Sequence, residues 1–244
     1  MVIMNYLVFD IETVPLPFES FSESQQEYIL RGTETEDEVT RRMGEMALTP
    51  LTAQVVCIGL KLVEKKDNEY KDIISGAISV DNSMGDDEHR EVTLSSGEIM
   101  HLYNEKQALS AFWKTLKKYN PHLISFNGRN FDAPFLMLRS ALLGIRPTKN
   151  LMQGTKFKYD CHTDLIDELT FYSTNYNYGA TKRFNFDFYT RAFGITSPKA
   201  QGIDGTKVPE FFNEGKIVEI TEYCLRDVEA TWELYKIWEK FLKF

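Results

Sequence analysis

The chain has 244 residues, is 43% hydrophobic and carries a formal charge of −8, a composition that can bury one sizeable core. It contains no run of about 20 apolar residues and no secretion signal at its start, so we expect a cytoplasmic protein without a membrane partner. The negative charge argues against broad electrostatic binding of nucleic acid, although a carboxylate cluster that binds cations would contribute to the same sum.

The first half of the chain predicts three strands and one long helix. An apolar run over residues 6–9 leads into Asp10, and residues 54–63 are rich in β-branched side chains, which is typical of a strand. A third strand is indicated near residues 91–94. Residues 105–119 place apolar side chains at helical spacing, and Pro121 ends that helix.

The second half continues with alternating elements. Residues 122–126 indicate a short buried strand, and a turn at Asn127-Gly128 leads to a helix over residues 132–143. The last helix begins near residue 217 and continues to the C-terminus. This order predicts an α/β fold, in which a mixed β-sheet is flanked by α-helices.

One domain over residues 1–244 is expected, with insertions at about 19–50 and 75–97. The first insertion is charged and has helical character, and the second is polar and rich in turns, which suggests an extended hairpin. Neither has enough apolar content for its own core. The cysteines are far apart and form no CxxC pair, which indicates neither a disulfide framework nor a zinc site.

Two acids at the end of the first strand, Asp10 and Glu12, are candidate metal ligands. Side chains two apart on a strand point to one face, so both carboxylates can leave the sheet together while Phe9 and Ile11 face the core. Paired oxygen ligands suit Mg²⁺. Taken alone, the pattern is weak and favours a strand that ends in a solvated acidic turn.

A second candidate is Asp132, at the predicted start of a helix. Aspartate is also a preferred helix cap, so position alone does not separate a cap from a ligand. Nearby Asn127, Gly128 and Phe131 offer an amide, an accessible backbone and an aromatic face, which could grip a terminal nucleotide by hydrogen bonding and stacking. The alternative is a simple turn followed by a core phenylalanine.

In the last helix Tyr223 and Asp227 lie four residues apart and therefore share one helical face. Individually they fit a core aromatic residue and a solvated acid. His162 precedes Asp227 by too many residues to act with it, and either a helix-start role or a hydrogen-bonding role in the core is predicted for it. Asp164 is expected to cap the helix that follows.

The ordered segments FDIET, NGRNFD and YCLRD resemble the three motifs of the DEDD exonucleases, and the YxxxD form is similar to the DEDDy branch. More specifically, residues 6 to about 240 resemble stand-alone predicted 3′–5′ exonucleases related to the exonuclease domain of family B DNA polymerases. The resemblance implies an RNase H-like fold and two divalent metal ions, Mg²⁺ or Mn²⁺. It also implies hydrolysis of nucleic acid from a free 3′ end.

The resemblance also implies residue roles. Asp10 would bridge both ions, Glu12 and Asp227 would complete the first, and Asp132 would support the second through water. Tyr223 would orient the attacking water, because an unperturbed tyrosine pKa near ~10 is too high for a general base at neutral pH. The residues predicted to contact substrate are Phe9, Ile11, Thr13, Asn127, Gly128 and Phe131.

These implications predict a metal-dependent 3′–5′ exonuclease that acts by two-metal-ion catalysis. Single-stranded DNA is the expected substrate, on the polymerase resemblance alone. Two other readings stay open. One is a module of exonuclease-like fold that binds single strands or a partner without cutting, and the other is an RNase H-like nuclease that cuts internally.

Overall fold

A computed structural model of the chain describes residues 3–67, 69–175, 177–198 and 203–244. Within these residues seven strands form one mixed sheet in the order β4-β5-β3-β2-β1-β6-β7. The strands are β1 (Met4–Pro15), β2 (Ala53–Lys66), β3 (Glu69–Val80), β4 (Arg90–Thr93), β5 (Ile99–Tyr103), β6 (His122–Ser125) and β7 (His162–Asp164). β1 pairs antiparallel with β2 and parallel with β6.

Helices cover both faces of this sheet, which confirms the predicted α/β class. They are α1 (Glu23–Ile29), α2 (Glu36–Glu45), α3 (Glu105–Tyr119), α4 (Asp132–Leu142), α5 (Leu165–Leu169), α6 (Phe186–Ala192), α7 (Val208–Asn213) and α8 (Ile217–Phe241). In the described part of the chain no helix combines the length and the apolar character that crossing a membrane requires.

The alternation of side chains along β1 separates two parts of the core. Leu7, Phe9 and Ile11 pack on one side in a cluster that includes residues of α3 and α4, whereas Tyr6 and Val8 pack on the other side with residues of α8. Because strand side chains alternate between faces, the even-numbered residues that follow, from position 10 onwards, also project toward α8.

The strands predicted at residues 6–9, 54–63, 91–94 and 122–126 are confirmed, as are the helices at 105–119, 132–143 and 217 onwards. Strands β3, β5 and β7 were not predicted. Polar residues interrupt β3, and β7 has only three residues, so neither carries the apolar pattern by which strands are recognised.

The two predicted insertions differ in how they join the sheet. Residues 19–50 contain α1 and α2, so the expected helical character is confirmed. Residues 75–97 do not form a hairpin of their own, which corrects the prediction. Their first part completes β3, and β4 pairs with the later strand β5 instead.

Gly59 of β2 allows α8 to pack unusually close to the sheet. It lies opposite Asp10 in the β1–β2 register. A Cβ atom at this position would lie 2.9 Å from both Cys224 Sγ and Val228 Cγ2 of α8, which is closer than van der Waals contact allows. A glycine is therefore required where the helix crosses the strand pair.

Gly59→Ala should force α8 away from the sheet, because two of its side chains occupy the space that the new methyl group needs. We expect a loss of about 1–3 kcal/mol in the free energy of unfolding, measured by urea denaturation. Gly44→Ala is the matched control, since a Cβ atom at that position in α2 would meet nothing within 4 Å. The control should equal or exceed the parent in stability, because alanine favours helix. Equal stability of both variants would disprove the close-packing argument.

Candidate active site

Asp10 and Glu12 lie on the face of β1 that is turned toward α8. The Sγ atom of Cys224 in α8 lies 3.6 Å from Asp10 Oδ2 and 3.5 Å from the Asp10 carbonyl oxygen. A carboxylate oxygen from each acid and this Sγ all lie within 4.8 Å of one another. The β1–β2 register shifts just after Glu12, between Glu12 and Thr13, a bulge of the kind that redirects side chains at functional sites.

Asp132 reaches the same region from the opposite side of β1. It is the first residue of α4, is 4% exposed, and accepts a hydrogen bond of 2.9 Å from the backbone N–H of Ile11 through Oδ1. β6 pairs only with Tyr6–Val8 of β1, so this N–H lies beyond the end of the neighbouring strand. The Asp132 carboxylate accepts the hydrogen bond that a carbonyl group of a neighbouring strand would otherwise accept from this N–H. The bond holds the carboxylate beside Asp10 and Glu12. The N-cap position of α4 belongs to Phe131.

Tyr223 and Asp227 approach from α8. The Tyr223 side chain is 6% exposed, and its hydroxyl group hydrogen-bonds to Asp227. Burial and then the Asp227, Glu12 and Asp10 carboxylates raise the pKa of Tyr223 far above its ordinary value. The phenol is therefore protonated at neutral pH and acts as a hydrogen-bond donor.

Burial, followed by mutual repulsion among the carboxylates, determines the electrostatics of this cluster. Burial raises the pKa of Asp10 well above its usual value, and Asp132, Asp227 and Glu12 raise it further. Burial followed by the Asp227 charge does the same to the pKa of Glu12. Burial also raises the pKa of Asp132 to about 7. A bound cation would reverse this balance, because it stabilises the ionised form of each acid.

The donor set fits Mg²⁺ or Mn²⁺. Asp10, Glu12, Asp132 and Asp227 offer carboxylate oxygens, which these hard cations prefer. Cys224 is a soft donor that the structure brings to both Asp10 and Glu12. Burial raises the pKa of its thiol well above the usual value, so Cys224 donates an S–H group to Asp10 and does not offer a thiolate.

Asp164 organises the turn that separates β6 from α4. Its carboxylate accepts hydrogen bonds of 2.7 Å from the Asn127 N–H and 2.8 Å from the Arg129 N–H. It also accepts from the Ile166 N–H, which confirms its predicted capping of α5. Gly128 lies between Asn127 and Arg129, where the turn has no room for a side chain. A Cβ atom at this position would lie 2.4 Å from Ser125 Oγ.

His162 has a structural position beneath this turn. It is 2% exposed, and its Nε2 shares a hydrogen bond of 2.7 Å with Ser125 Oγ. Burial lowers the pKa of His162 to about 3, so the ring is neutral. The predicted hydrogen-bonding role in the core is confirmed.

The structure restricts the side chains of four of the predicted substrate contacts. Phe9 and Ile11 are 1% and 4% exposed and pack in the core, and the Ile11 N–H is already bonded to Asp132. The hydroxyl group of Thr13 is already engaged, because it donates a 2.8 Å hydrogen bond to the Ala47 carbonyl oxygen. Phe131 is half-buried against Phe135, with ring centroids 5.5 Å apart.

A pocket of about 360 Å³ opens beside the acids. Its walls include four residues singled out from the sequence, which are Asp10, Asn127, Tyr223 and Asp227. They also include three phenylalanines that sequence reasoning missed, namely Phe126, Phe184 and Phe186. Phe126 packs on Phe186 with ring centroids 4.6 Å apart. The only available signal was the aromatic segment FNFDF at the start of α6, and nothing local connects that segment to the acids.

A family comparison covers most of the chain. Residues 67–242 match the sequence profile described as a predicted 3′–5′ exonuclease related to the exonuclease domain of PolB. The matched range contains Asp132, Tyr223 and Asp227 and begins after Asp10 and Glu12.

Similar proteins include DNA polymerase 1 of Sulfolobus acidocaldarius, 28% identical over 137 residues, or 54% of this chain and 15% of the polymerase. An uncharacterised protein of Methanocaldococcus jannaschii is 33% identical over 142 residues, which are 55% of this chain and 74% of that protein. The solved family B DNA polymerase of Pyrobaculum calidifontis superimposes with a TM-score of 0.57 at 18% identity, over 98% of this chain and 25% of the polymerase. The chain thus spans a small part of either polymerase, and the structural likeness shows the predicted RNase H-like fold.

The buried acids predict an unusual pH dependence of stability for the metal-free protein. The pKa of Asp132 is raised from 3.8 to about 7, so its contribution to stability is complete below pH 3.8 and is lost as the pH rises to about 7. Asp132→Asn keeps an oxygen acceptor for Ile11 but carries no charge. Relative to the parent, we expect this variant to gain at least about 1 kcal/mol in free energy of unfolding between about pH 5 and pH 8, measured by denaturation in a chelator.

Asp87→Asn serves as the control, because Asp87 is exposed. Its stability difference from the parent should stay constant across the same pH range. A constant difference for Asp132→Asn as well would contradict the burial of an uncompensated charge at that position.

Proposed function

Because the chain belongs to the family of predicted 3′–5′ exonucleases related to the exonuclease domain of family B DNA polymerases, we propose that it is itself an active nuclease. It hydrolyses phosphodiester bonds from the 3′ end of single-stranded DNA in a reaction that requires two divalent metal ions. The observation that carries this proposal is the convergence of four carboxylates and Tyr223 at one end of β1, beside an open pocket.

Asp10, Glu12 and Asp227 are the proposed ligands, and Asp132 supports the second ion. When bound, Mg²⁺ or Mn²⁺ offsets the negative charge of the phosphodiester and makes water a better nucleophile. The chain contributes the positions of the acids. Asp10 and Glu12 share a strand face, and the Ile11 N–H fixes the Asp132 carboxylate, so little reorganisation is needed when the cations bind.

Tyr223 is proposed to orient the attacking water and not to accept its proton. The support is its burial and its hydrogen bond to Asp227, which keep the phenol protonated. A protonated phenol has one O–H group to donate and oxygen lone pairs that can accept a hydrogen bond from water. With these hydrogen bonds the hydroxyl group can position a water molecule for attack on the phosphorus atom.

The pocket lined by Phe126, Phe184 and Phe186 is proposed to hold the terminal base. Phe184 is 40% exposed, so its ring is available for stacking, which is worth about 1–3 kcal/mol per base and is tolerant of sequence. The Asn127 side chain lines the same pocket and can hydrogen-bond to the nucleotide. A base that enters this pocket must be unpaired, which supports a single-stranded 3′ end as the substrate.

A second pocket of about 450 Å³ shares Asn127 with the first and is lined by Arg129, Lys156 and Arg183. Arg129 is held over the Tyr159 ring at 3.8 Å, and Arg183 is paired with Asp167. We propose that this pocket binds the phosphate groups on the 5′ side of the scissile bond. Asp164 and Asp167 also line this pocket, so its three cations exceed its two acids by one charge, on a chain whose formal charge is −8.

Asp10→Asn and Asp227→Asn should each reduce Mg²⁺-dependent degradation by more than about 100-fold, since even residues that merely support a metal ligand contribute about 10- to 100-fold. The measurement is digestion of single-stranded oligonucleotides carrying a 5′ label or a 3′ label. A 3′–5′ exonuclease shortens the 5′-labelled strand stepwise and releases the 3′ label as a mononucleotide.

Glu219→Gln is the control on the same helix, because Glu219 is an exposed acid. It should retain the parent's rate. A parent protein that retards the oligonucleotide in a gel but never shortens it would replace the proposal with a binding module. Products of intermediate length from the 3′-labelled strand would indicate internal cleavage, and parallel DNA and RNA strands test the sugar preference.

Tyr223→Phe should lower kcat by about 10- to 100-fold while KM changes by less than about 2-fold, because the phenol acts on the attacking water and not on substrate binding. Steady-state kinetics on a 5′-labelled strand separate the two parameters. Tyr235→Phe removes a hydroxyl group from another buried tyrosine of α8, one that hydrogen-bonds to Glu239, and should leave kcat unchanged. An unaltered kcat for Tyr223→Phe would remove this residue from the mechanism.

A further inference from the structure

Three side chains with metal-binding atoms converge on the β4–β5 hairpin, at the edge of the sheet. His89 Nε2 lies 3.1 Å from His101 Nδ1. A single oxygen of Glu91, Oε1, lies 3.4 Å from His101 Nδ1 and 3.9 Å from His89 Nε2. None of the three belongs to the candidate active site.

The backbone of the hairpin brings these residues together. Glu91 of β4 and His101 of β5 are direct cross-strand partners, so their side chains share one face of the sheet. His89 lies one residue before β4, and its ring lies beside His101, with Nε2 3.1 Å from His101 Nδ1. The His89 ring stacks on Tyr103 of β5, with centroids 4.5 Å apart and planes inclined by 12°, which restricts the ring to this position.

The separations fit a tetrahedral metal ion. Zn²⁺ binds imidazole nitrogen and carboxylate oxygen at about 2.0–2.2 Å, so two ligand atoms on one tetrahedral ion lie about 3.4 Å apart. The three observed distances of 3.1, 3.4 and 3.9 Å surround that value. Two imidazoles with one carboxylate are a donor set that suits Zn²⁺ and not Mg²⁺.

Hydrogen bonding alone explains the cluster less well. One neutral ring can donate to the other across 3.1 Å. However, a carboxylate that accepts from a protonated histidine lies at about 2.7–2.9 Å, and both Glu91 distances are longer. The distances from Glu91 Oε1 to the two imidazole nitrogens thus fit three ligand atoms bound to one metal ion.

The side chains around the cluster are acidic, which favours a bound cation, and the cluster itself is exposed to solvent. Side-chain exposures are 38% for His89, 57% for Glu91 and 37% for His101, so a fourth position is open to water or to an external ligand. The loop that leads into His89 contributes Asp86, Asp87 and Glu88, whose charges raise the local concentration of cations.

We propose that His89, Glu91 and His101 form a zinc-binding site that fastens the loop before β4 to strand β5. The site is separate from the carboxylate cluster and differs from it in metal preference. It gives the polar segment at residues 75–97 a structural role, since the ion would join the two strands at the edge of the sheet, where β4 has only one partner in the sheet.

Zinc titration against a chromophoric chelator tests this proposal, with Mg²⁺ in excess to occupy the carboxylate cluster. His101→Ala and His89→Ala should each weaken the affinity of this site by at least about 10- to 100-fold. Asp87→Asn removes one neighbouring charge but no ligand, so its affinity should stay within about 3-fold of the parent's. Asp10→Asn should keep the site intact.

Two further measurements exclude indirect effects. Zinc should raise the Tm of the parent and of Asp10→Asn but not that of His101→Ala, and circular dichroism verifies that each variant is folded. An X-ray anomalous signal at the zinc edge should lie among the three residues in zinc-soaked crystals. Parental zinc affinity in His101→Ala, or loss of the zinc only in Asp10→Asn, would overturn the proposal. Mg²⁺-dependent nuclease activity should be unchanged in His101→Ala, so this test stands apart from the one for Asp10.

Discussion

The close packing of α8 on the β1–β2 pair is the constraint on which the site depends. Gly59 lies opposite Asp10 in the sheet, and the space above it is filled by Cys224 and Val228. At this distance one turn of α8 brings Tyr223 and Asp227 to the acids of β1. A larger residue at position 59 would separate the helix from the strand and would disperse the cluster, although each acid would remain in its own element.

The same packing has an electrostatic cost. Acids that are turned into a helix–sheet interface lose water and repel one another, and the raised pKa values of Asp10, Glu12 and Asp132 express both effects. Groups in this state are held by the surrounding fold and not by their own interactions. The hydrogen bond from Ile11 to Asp132 and the S–H group of Cys224 on Asp10 orient the carboxylates but do not neutralise them. The cluster is therefore arranged for a cation.

The centre and the β4 edge of the sheet offer different ligand chemistry. Buried carboxylates on β1, α4 and α8 suit hard cations, whereas the exposed imidazoles of the β4–β5 hairpin suit a borderline one. This difference arises from the segment at residues 75–97, which adds an edge strand and carries His89 and Glu91. The proposed zinc site thus lies in this segment and apart from the acids of β1.

Local sequence determined the main elements and the place of each candidate acid within its element. Short segments carry the patterns that identified the acids: the alternation around Asp10 and Glu12, the helical spacing of Tyr223 and Asp227 and the turn before Asp132. The family resemblance connected these segments as one proposed site. Tertiary structure decided the rest, because distant segments had to meet. The hydrogen bond between Asp132 and Ile11, the phenylalanines of the pocket and the burial of Phe9 and Ile11 each depend on contacts that no local pattern encodes. The periodicity of a sequence indicates which face of a helix or strand a side chain lies on. Only the packed structure shows which residues that face contacts.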